Sequence, residues 1–139
     1  MKNINIGCGA APKENFIGID IRDYGQEIVR DITKGLPFDD NSVDEVFSSH
    51  TLEHIERADV PFVWEEMFRV LKPGGRAYII VPHARSPQAF MMAHFSYWLP
   101  EVVQVLCNQW GSPDHFTKTK WTIELNEIRG EELHIKLLK

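Results

Sequence analysis

With 139 residues, 43% of them apolar, the chain has enough material to bury one core and no length for a second, so a single domain spanning 1–139 is expected. Its 15 basic side chains stand against 20 acidic ones, and the net charge of −5 would repel a phosphate backbone, which excludes nucleic acid as a first partner. No run approaches the ~18 apolar residues of a membrane span, no basic-then-apolar leader precedes the first strand, and Cys8 and Cys107 form no Cys-x-x-Cys pair. The expectation is a cytoplasmic protein with reduced thiols, no bound metal and no membrane partner.

In chain order, Asn3 to Ile6 is a short apolar run that breaks into Gly7-Cys8-Gly9, a first strand ending in a glycine turn. Phe16 to Ile21 reads as a second strand with Asp20 near its end, and Ile28 to Ile32 as a short third strand containing Asp31. Val43 to Ser49 reads as a fourth strand, followed by a helical start over Thr51 to Ile55. Asp59 is placed to cap the next helix, Pro61 suits its first turn, and Val60, Val63, Trp64, Met67, Phe68, Val70 and Leu71 recur at the three-four spacing of one buried face. Pro73-Gly74-Gly75 ends that helix, and Arg76 to Val81 is a nearly continuous apolar strand, as in the middle of a parallel sheet. The stretch from 82 to 118 is irregular and rich in His, Pro and aromatics, with one helix from Pro100 to about Gln109; it is the expected substrate or lid region. Trp121 to Ile128 and Glu132 to Leu138 form a closing antiparallel hairpin around Arg129-Gly130-Glu131. The alternation of strands and helices is that of an α/β fold with a mostly parallel sheet.

Glycines at a strand end let backbone N–H groups approach a ligand with no Cβ in the way, and an acid at the end of the neighbouring strand can accept both hydroxyls of a ribose. Gly7, Gly9 and Asp20 have that arrangement, which a tight turn beside a solvated aspartate would also produce. Only six residues, Ala10 to Asn15, separate Gly9 from the second strand. A dinucleotide fingerprint needs a full helix there and an acid about 20 residues on, so an NAD reading is strained.

Three segments in order, NINIGCGAAPKENFIGIDI, LPFDDNSVDEVFSSHTLEHI and FRVLKPGGRAYIIVP, resemble a branch of the class I S-adenosylmethionine-dependent methyltransferases, the type 11-like group with a short G-C-G turn. The resemblance covers residues 3 to 82, with RSPQAF and the terminal ELHIKLLK matching more faintly. It implies a Rossmann-like methyltransferase sheet that here lacks the usual N-terminal helices. It also implies S-adenosylmethionine as cofactor and S-adenosylhomocysteine as product. Gly7, Cys8 and Gly9 would line the methionine end, Asp20 would hold the ribose with Ile21 beside the adenine, and Asp31 and Ile32 would lie near the adenine amino group. Ser49 and His50 would pass closest to the sulfonium. A surface aspartate on an edge strand is the alternative for Asp31. With those helices missing, one sheet face is thinly covered, which predicts a homodimer that buries it or a loosely held cofactor.

His50-Thr51-Leu52-Glu53-His54 also matches the H-x-x-E-H pattern of zinc hydrolases. Such enzymes build it on a long helix, whereas here it directly follows a strand, and Glu53 and His54 are expected to pack or hydrogen-bond under the carboxyl edge of the sheet. His83, Arg85, His94, Tyr97, Trp98, Trp110 and His115 populate the region beyond that edge, where open α/β sheets bind ligands. The activity expected is in-line methyl transfer to a small-molecule or carbohydrate-type acceptor, with His50 or His83 as the candidate base. A non-catalytic module that keeps the cofactor is the competing class.

Overall fold

A computed structural model describes residues 1–109 and 117–139. Seven strands form one sheet: β1 (Asn3–Ile6), β2 (Ile17–Asp20), β3 (Ile28–Val29), β4 (Val43–Ser49), β5 (Leu71–Pro82), β6 (Thr122–Arg129) and β7 (Glu132–Leu138), in the order β3-β2-β1-β4-β5-β7-β6. The first five pair in parallel, and the hairpin β6–β7 joins β5 antiparallel, as the turn around Gly130 predicts. Among the described residues two α-helices accompany the sheet, α1 (Val60–Val70) and α2 (Pro100–Leu106). No helix joins β1 to β2 or β2 to β3, in agreement with the reduced fold expected from the sequence. Among the described residues no helix is long and apolar enough to cross a membrane.

Strand alternation divides the sheet into two unlike faces. Ile6, Ile19, Ser48, Ile79 and Ile135 stand in register on one face, and with Ile4, Val46, Ala77, Val81, Leu133 and Leu137 they make the core against Val63, Trp64, Met67 and Val70 of α1 and Val103 and Leu106 of α2. Trp64 is fully buried, with its ring 5.8 Å from Trp98 and 6.2 Å from Trp121. Asn5, Phe47, Tyr78 and Lys136 stand in register on the other face. There Phe16, Phe47 and Tyr78 form a row of edge-on rings, with Lys13 Nζ 4.5 Å from the centre of Phe47 and Lys136 Nζ 5.0 Å from that of Tyr78. Lysine stems therefore cover apolar area where a helix would otherwise lie.

Several local expectations are corrected. The third strand stops at Val29, because the Asp31 carboxylate accepts from Thr33 N (2.9 Å) and Thr33 Oγ1 (2.7 Å) and caps a 3-10 turn, Ile32–Lys34, that carries Ile32 into the core. That local hydrogen bonding competes with the ladder. The helical start after β4 is a single 3-10 turn, Leu52–His54. Asp59 stands at the N-cap of α1, yet its side chain makes no capping bond. Leu71 leaves the helix to open β5, whose pairing with β4 jumps from Val43↔Leu71 to Glu45↔Arg76, so that Pro73-Gly74-Gly75 loops out of the ladder. α2 ends at Leu106, short of Gln109. Cys8 and Cys107 are both buried free thiols, and burial pushes Cys107 up to about 12.

Candidate functional site

The carboxyl ends of β1, β2 and β4 open onto a cleft of about 730 Å³, within the usual range for a small-molecule pocket. β1 breaks at Gly7, whose N donates to Ile19 O at 2.7 Å, as does Cys8 N at 3.1 Å, tying the turn to β2. Gly7 and Gly9 both take positive φ, +69° and +55°. They differ in their surroundings: a Cβ at Gly7 would run into the Thr51 side chain, whereas one at Gly9 would meet open space. Bare backbone thus faces the cleft.

Asp20 ends β2, and its two oxygens are already oriented: Oδ2 accepts from Gly9 N at 2.9 Å and Oδ1 from Arg22 N at 3.1 Å. Each carboxylate oxygen keeps a second lone pair for a hydroxyl. Ile21 is 64% exposed and Tyr24 46% exposed on the same wall, apolar surface that a flat aromatic ligand would cover. Asp31 lines the cleft too, although its carboxyl is held below the usual range by the Thr33 hydrogen bonds that make it a cap.

Of the residues singled out from sequence, Gly7, Gly9, Asp20, Ile21, Asp31, Ile32 and His50 line the cleft together. Cys8 and Ser49 do not. The Cys8 sulfur turns toward Gly18, where an added Cβ would come within 2.9 Å of it, and Ser49 ends β4 with its carbonyl accepting from Thr51 Oγ1. His50 has a positive φ of +52° and turns its Nε2 to Glu132 Oε1 at 2.9 Å. Glu132 Oε2 in turn lies 2.9 Å from His134 Nε2, and His134 Nδ1 2.7 Å from the Tyr78 hydroxyl. His83 does not reach the cleft: it is buried, its Nε2 bonded to Gly130 O (3.0 Å) and its Nδ1 accepting from Arg85 N (3.1 Å). Trp98, counted among the acceptor-side residues, belongs to the core at 1% exposure. Arg85 pairs with Glu101 at 3.8 Å, and Trp110 and His115 lie outside the described residues.

Glu53 is buried as expected, its carbonyl accepting from Phe95 N and Ser96 N, and burial pushes its carboxyl above the usual range. His54 does more than pack, because it lines the cleft with Thr51, Ala93 and Phe95. Tyr24, Arg30, Thr51 and Phe95 were not singled out from sequence. An aromatic four residues beyond the ribose-type acid was the one available signal, for Tyr24. The others reach the cleft only through tertiary folding.

Comparison with known proteins agrees with this geometry. Residues 5–79 match the family model described as a methyltransferase domain. A 2-phytyl-1,4-naphtoquinone methyltransferase from Trichormus variabilis is 29% identical over 103 residues, 73% of this chain and 43% of that protein. The biotin biosynthesis bifunctional protein BioHC of Cellvibrio japonicus is 52% identical over 46 residues, 33% of this chain and 9% of that one. The chain thus spans less than half the length of these two curated relatives. Crystal structures of SAM dependent methyltransferases from Archaeoglobus fulgidus (TM-score 0.72, 17% identity, 99% of this chain and 86% of that one) and Aquifex aeolicus (TM-score 0.67, 18% identity, 99% and 81%) share the fold. With a Rossmann-like sheet closed by an antiparallel hairpin, a glycine turn hydrogen-bonded to the acid that ends the neighbouring strand, and a family match over more than half its length, the chain belongs to the methyltransferase domain family.

Proposed function

We propose that the chain binds S-adenosylmethionine in the cleft at the ends of β1 and β2 and transfers its methyl group to a small-molecule or carbohydrate-type acceptor. The observation that carries the reading is the convergence of Gly7, Gly9 and Asp20 on one cleft, with the Asp20 carboxylate already held by two backbone N–H groups. The residues fit this cofactor: the space beside Gly9 is open and a Cβ there would fill it, the acid suits a ribose, and Ile21 and Tyr24 suit an adenine.

The bound cofactor would supply a methyl group already activated on a sulfonium. The chain's own residues then have little covalent work. Asp20 fixes the ribose, and the backbone at Gly7 and Gly9 sets the approach of the methionine end. The wall of Thr51, His54 and Ile55, with Ala93 and Phe95, holds the acceptor in line and excludes water. His50 is the one of the two candidate imidazoles that reaches the cleft; its Nε2 lies 2.9 Å from Glu132 and its Nδ1 3.6 Å from Glu53, so it would act as base once a bound acceptor displaces one of those contacts. Phe95, 47% exposed on this wall, and the exposed Ile21 and Tyr24 in the same lining favour an acceptor with an apolar portion over a bare sugar.

The test is turnover of methyl-labelled S-adenosylmethionine against a panel of hydroxylated and aminated small molecules, compared between the wild type and His50→Ala. Transfer to one acceptor, lowered about 100-fold in kcat by the substitution, is expected. Tight cofactor binding with no transfer across the panel would favour the non-catalytic module instead.

A further inference from the structure

A cluster of ionisable side chains stands at the edge of the cleft, whose lining His50 and His54 reach while Glu53 is buried. Glu53 is 2% exposed, and its Oε2 is buried with no hydrogen-bond partner. Its Oε1 lies 3.6 Å from His50 Nδ1 and 3.9 Å from His54 Nε2. The far nitrogen of each ring is committed elsewhere, His54 Nδ1 to the Ala93 carbonyl at 2.8 Å and His50 Nε2 to Glu132 Oε1 at 2.9 Å. A carbonyl and an ionised carboxylate only accept, so each ring donates there, and a neutral ring then turns a lone pair toward Glu53. A third imidazole, His94, stands edge-on to His54 with ring centres 4.8 Å apart, and its Nδ1 is also buried without a partner. Acceptors thus face acceptors around a Glu53 carboxylate that is 2% exposed, although the His50 and His54 rings themselves open onto the cleft. A proton on Glu53 could serve only one of the two rings, and both separations exceed a hydrogen bond.

We propose that Glu53, His54 and His94 bind one divalent transition-metal ion of the zinc class. One donor atom from each lies within 4.8 Å of the others, so side-chain rotations of about an ångström bring them to metal bonds of about 2.0–2.2 Å. Two imidazoles and a carboxylate suit zinc or cobalt rather than magnesium or calcium, which take all-oxygen sets. The frame is built: Phe95 N and Ser96 N donate to Glu53 O at 2.7 and 3.2 Å, and Ser96 Oγ donates to Leu52 O at 2.8 Å. The Ala93 carbonyl fixes the His54 tautomer so that Nε2 is the ligand atom, the arrangement usual for metal-bound histidine. This is not the hydrolase pattern. The H-x-x-E-H stretch runs from a strand end into a 3-10 turn, and the third donor comes from the distant segment after β5. His54 and Ala93 line the cleft, so the ion would pin residues 93–96 to its wall. Metal binding of this kind stands whether or not the methyl-transfer reading does.

The test uses the full chain, stripped with chelator and titrated with zinc chloride by calorimetry and with cobalt(II) by visible absorption. One ion per chain is expected, with the visible bands of four- or five-coordinate cobalt. Glu53→Gln and His94→Ala should each weaken binding by at least about tenfold, while His83→Gln, whose ring is bonded to Gly130 O and Arg85 N instead of the cluster, should not. Circular dichroism confirms the fold of each variant, and His94, which is only partly buried, supplies a readout even if Glu53→Gln unfolds. Absence of saturable binding at micromolar metal overturns the proposal, as does equal affinity in the wild type and His94→Ala. Ring nitrogen shifts showing doubly protonated His50 or His54 at neutral pH, with no zinc uptake, would replace the metal by an imidazolium.

Discussion

Gly7 and Gly9 form a matched pair in which the cost of a side chain can be divided into its parts. Both have φ in the left-handed region, and alanine there costs about 1–2 kcal/mol in backbone strain alone. At Gly9 nothing lies within reach of the new methyl, so Gly9→Ala should destabilise the chain by that amount and no more. At Gly7 the methyl would occupy the space of the Thr51 side chain, which is tied to the Ile6, Gly7 and Ser49 carbonyls at 3.2–3.3 Å. Displacing it adds an overpacking cost of about 1–3 kcal/mol. Urea denaturation of the two variants should therefore differ by at least about 1 kcal/mol, with Gly7→Ala the weaker. Removing the obstacle in Gly7→Ala/Thr51→Gly should recover part of the loss, read as a coupling of about 1–3 kcal/mol in the double-mutant cycle. Equal stabilities for the two single variants, or strict additivity in the cycle, would mean that Thr51 does not sit over Gly7 and that the cradle is drawn wrongly.

Two other expectations concern the scaffold. Glu66 accepts from Leu36 N (2.8 Å) and from Arg69 Nε and Nη2 (2.6 and 2.8 Å), stapling the loop before β4 to α1, so Glu66→Gln should cost about 1.5–3 kcal/mol at neutral pH. The Arg69 hydrogen bonds, followed by the Leu36 amide, hold this carboxyl below its unfolded value of 4.5, so its stabilisation is complete above that pH and is lost as the pH falls through the folded value. The gap between wild type and variant in denaturant melts should narrow progressively as the pH falls below 4.5, and a gap that stays constant from neutral pH down to acid unfolding would contradict this assignment. The aromatic and lysine face around Phe47 and Tyr78 is the surface a homodimer would bury. Sedimentation should then give a dimer that Tyr78→Glu dissociates, and a monomer at all concentrations would remove the dimer from the account.

The parts of the fold legible in the sequence are those where one local cause dominates. An apolar run broken by glycine marked β1, apolar runs marked β4 and β5, the three-four spacing marked α1, and Gly130 marked the hairpin. The nucleotide half of the cleft was legible because its requirements, a left-handed glycine turn at Gly7 and Gly9 and an acid at the end of β2, leave a trace in single residues. Where two causes compete, the sequence was ambiguous: Asp31 reads as part of a strand until its side chain is seen capping the next turn. Where the cause is tertiary, no local trace exists. The approach of His94 to Glu53, and of Glu132 to His50, depends on how β5 and β7 follow β4 in the sheet, and the burial of Trp98 depends on Trp64 lying opposite it.

The central claim is that Gly7, Gly9 and Asp20 hold S-adenosylmethionine, and calorimetric titration with S-adenosylhomocysteine, on the wild type and on Asp20→Ala, tests it most directly. Two hydrogen bonds from ribose hydroxyls to an ionised carboxylate, at about 1.5 kcal/mol each, amount to roughly a 100-fold change in Kd. The account predicts saturable one-to-one binding to the wild type and a Kd raised by about that factor in Asp20→Ala. No heat with either S-adenosylhomocysteine or S-adenosylmethionine, or undiminished affinity in a folded Asp20→Ala, would contradict it.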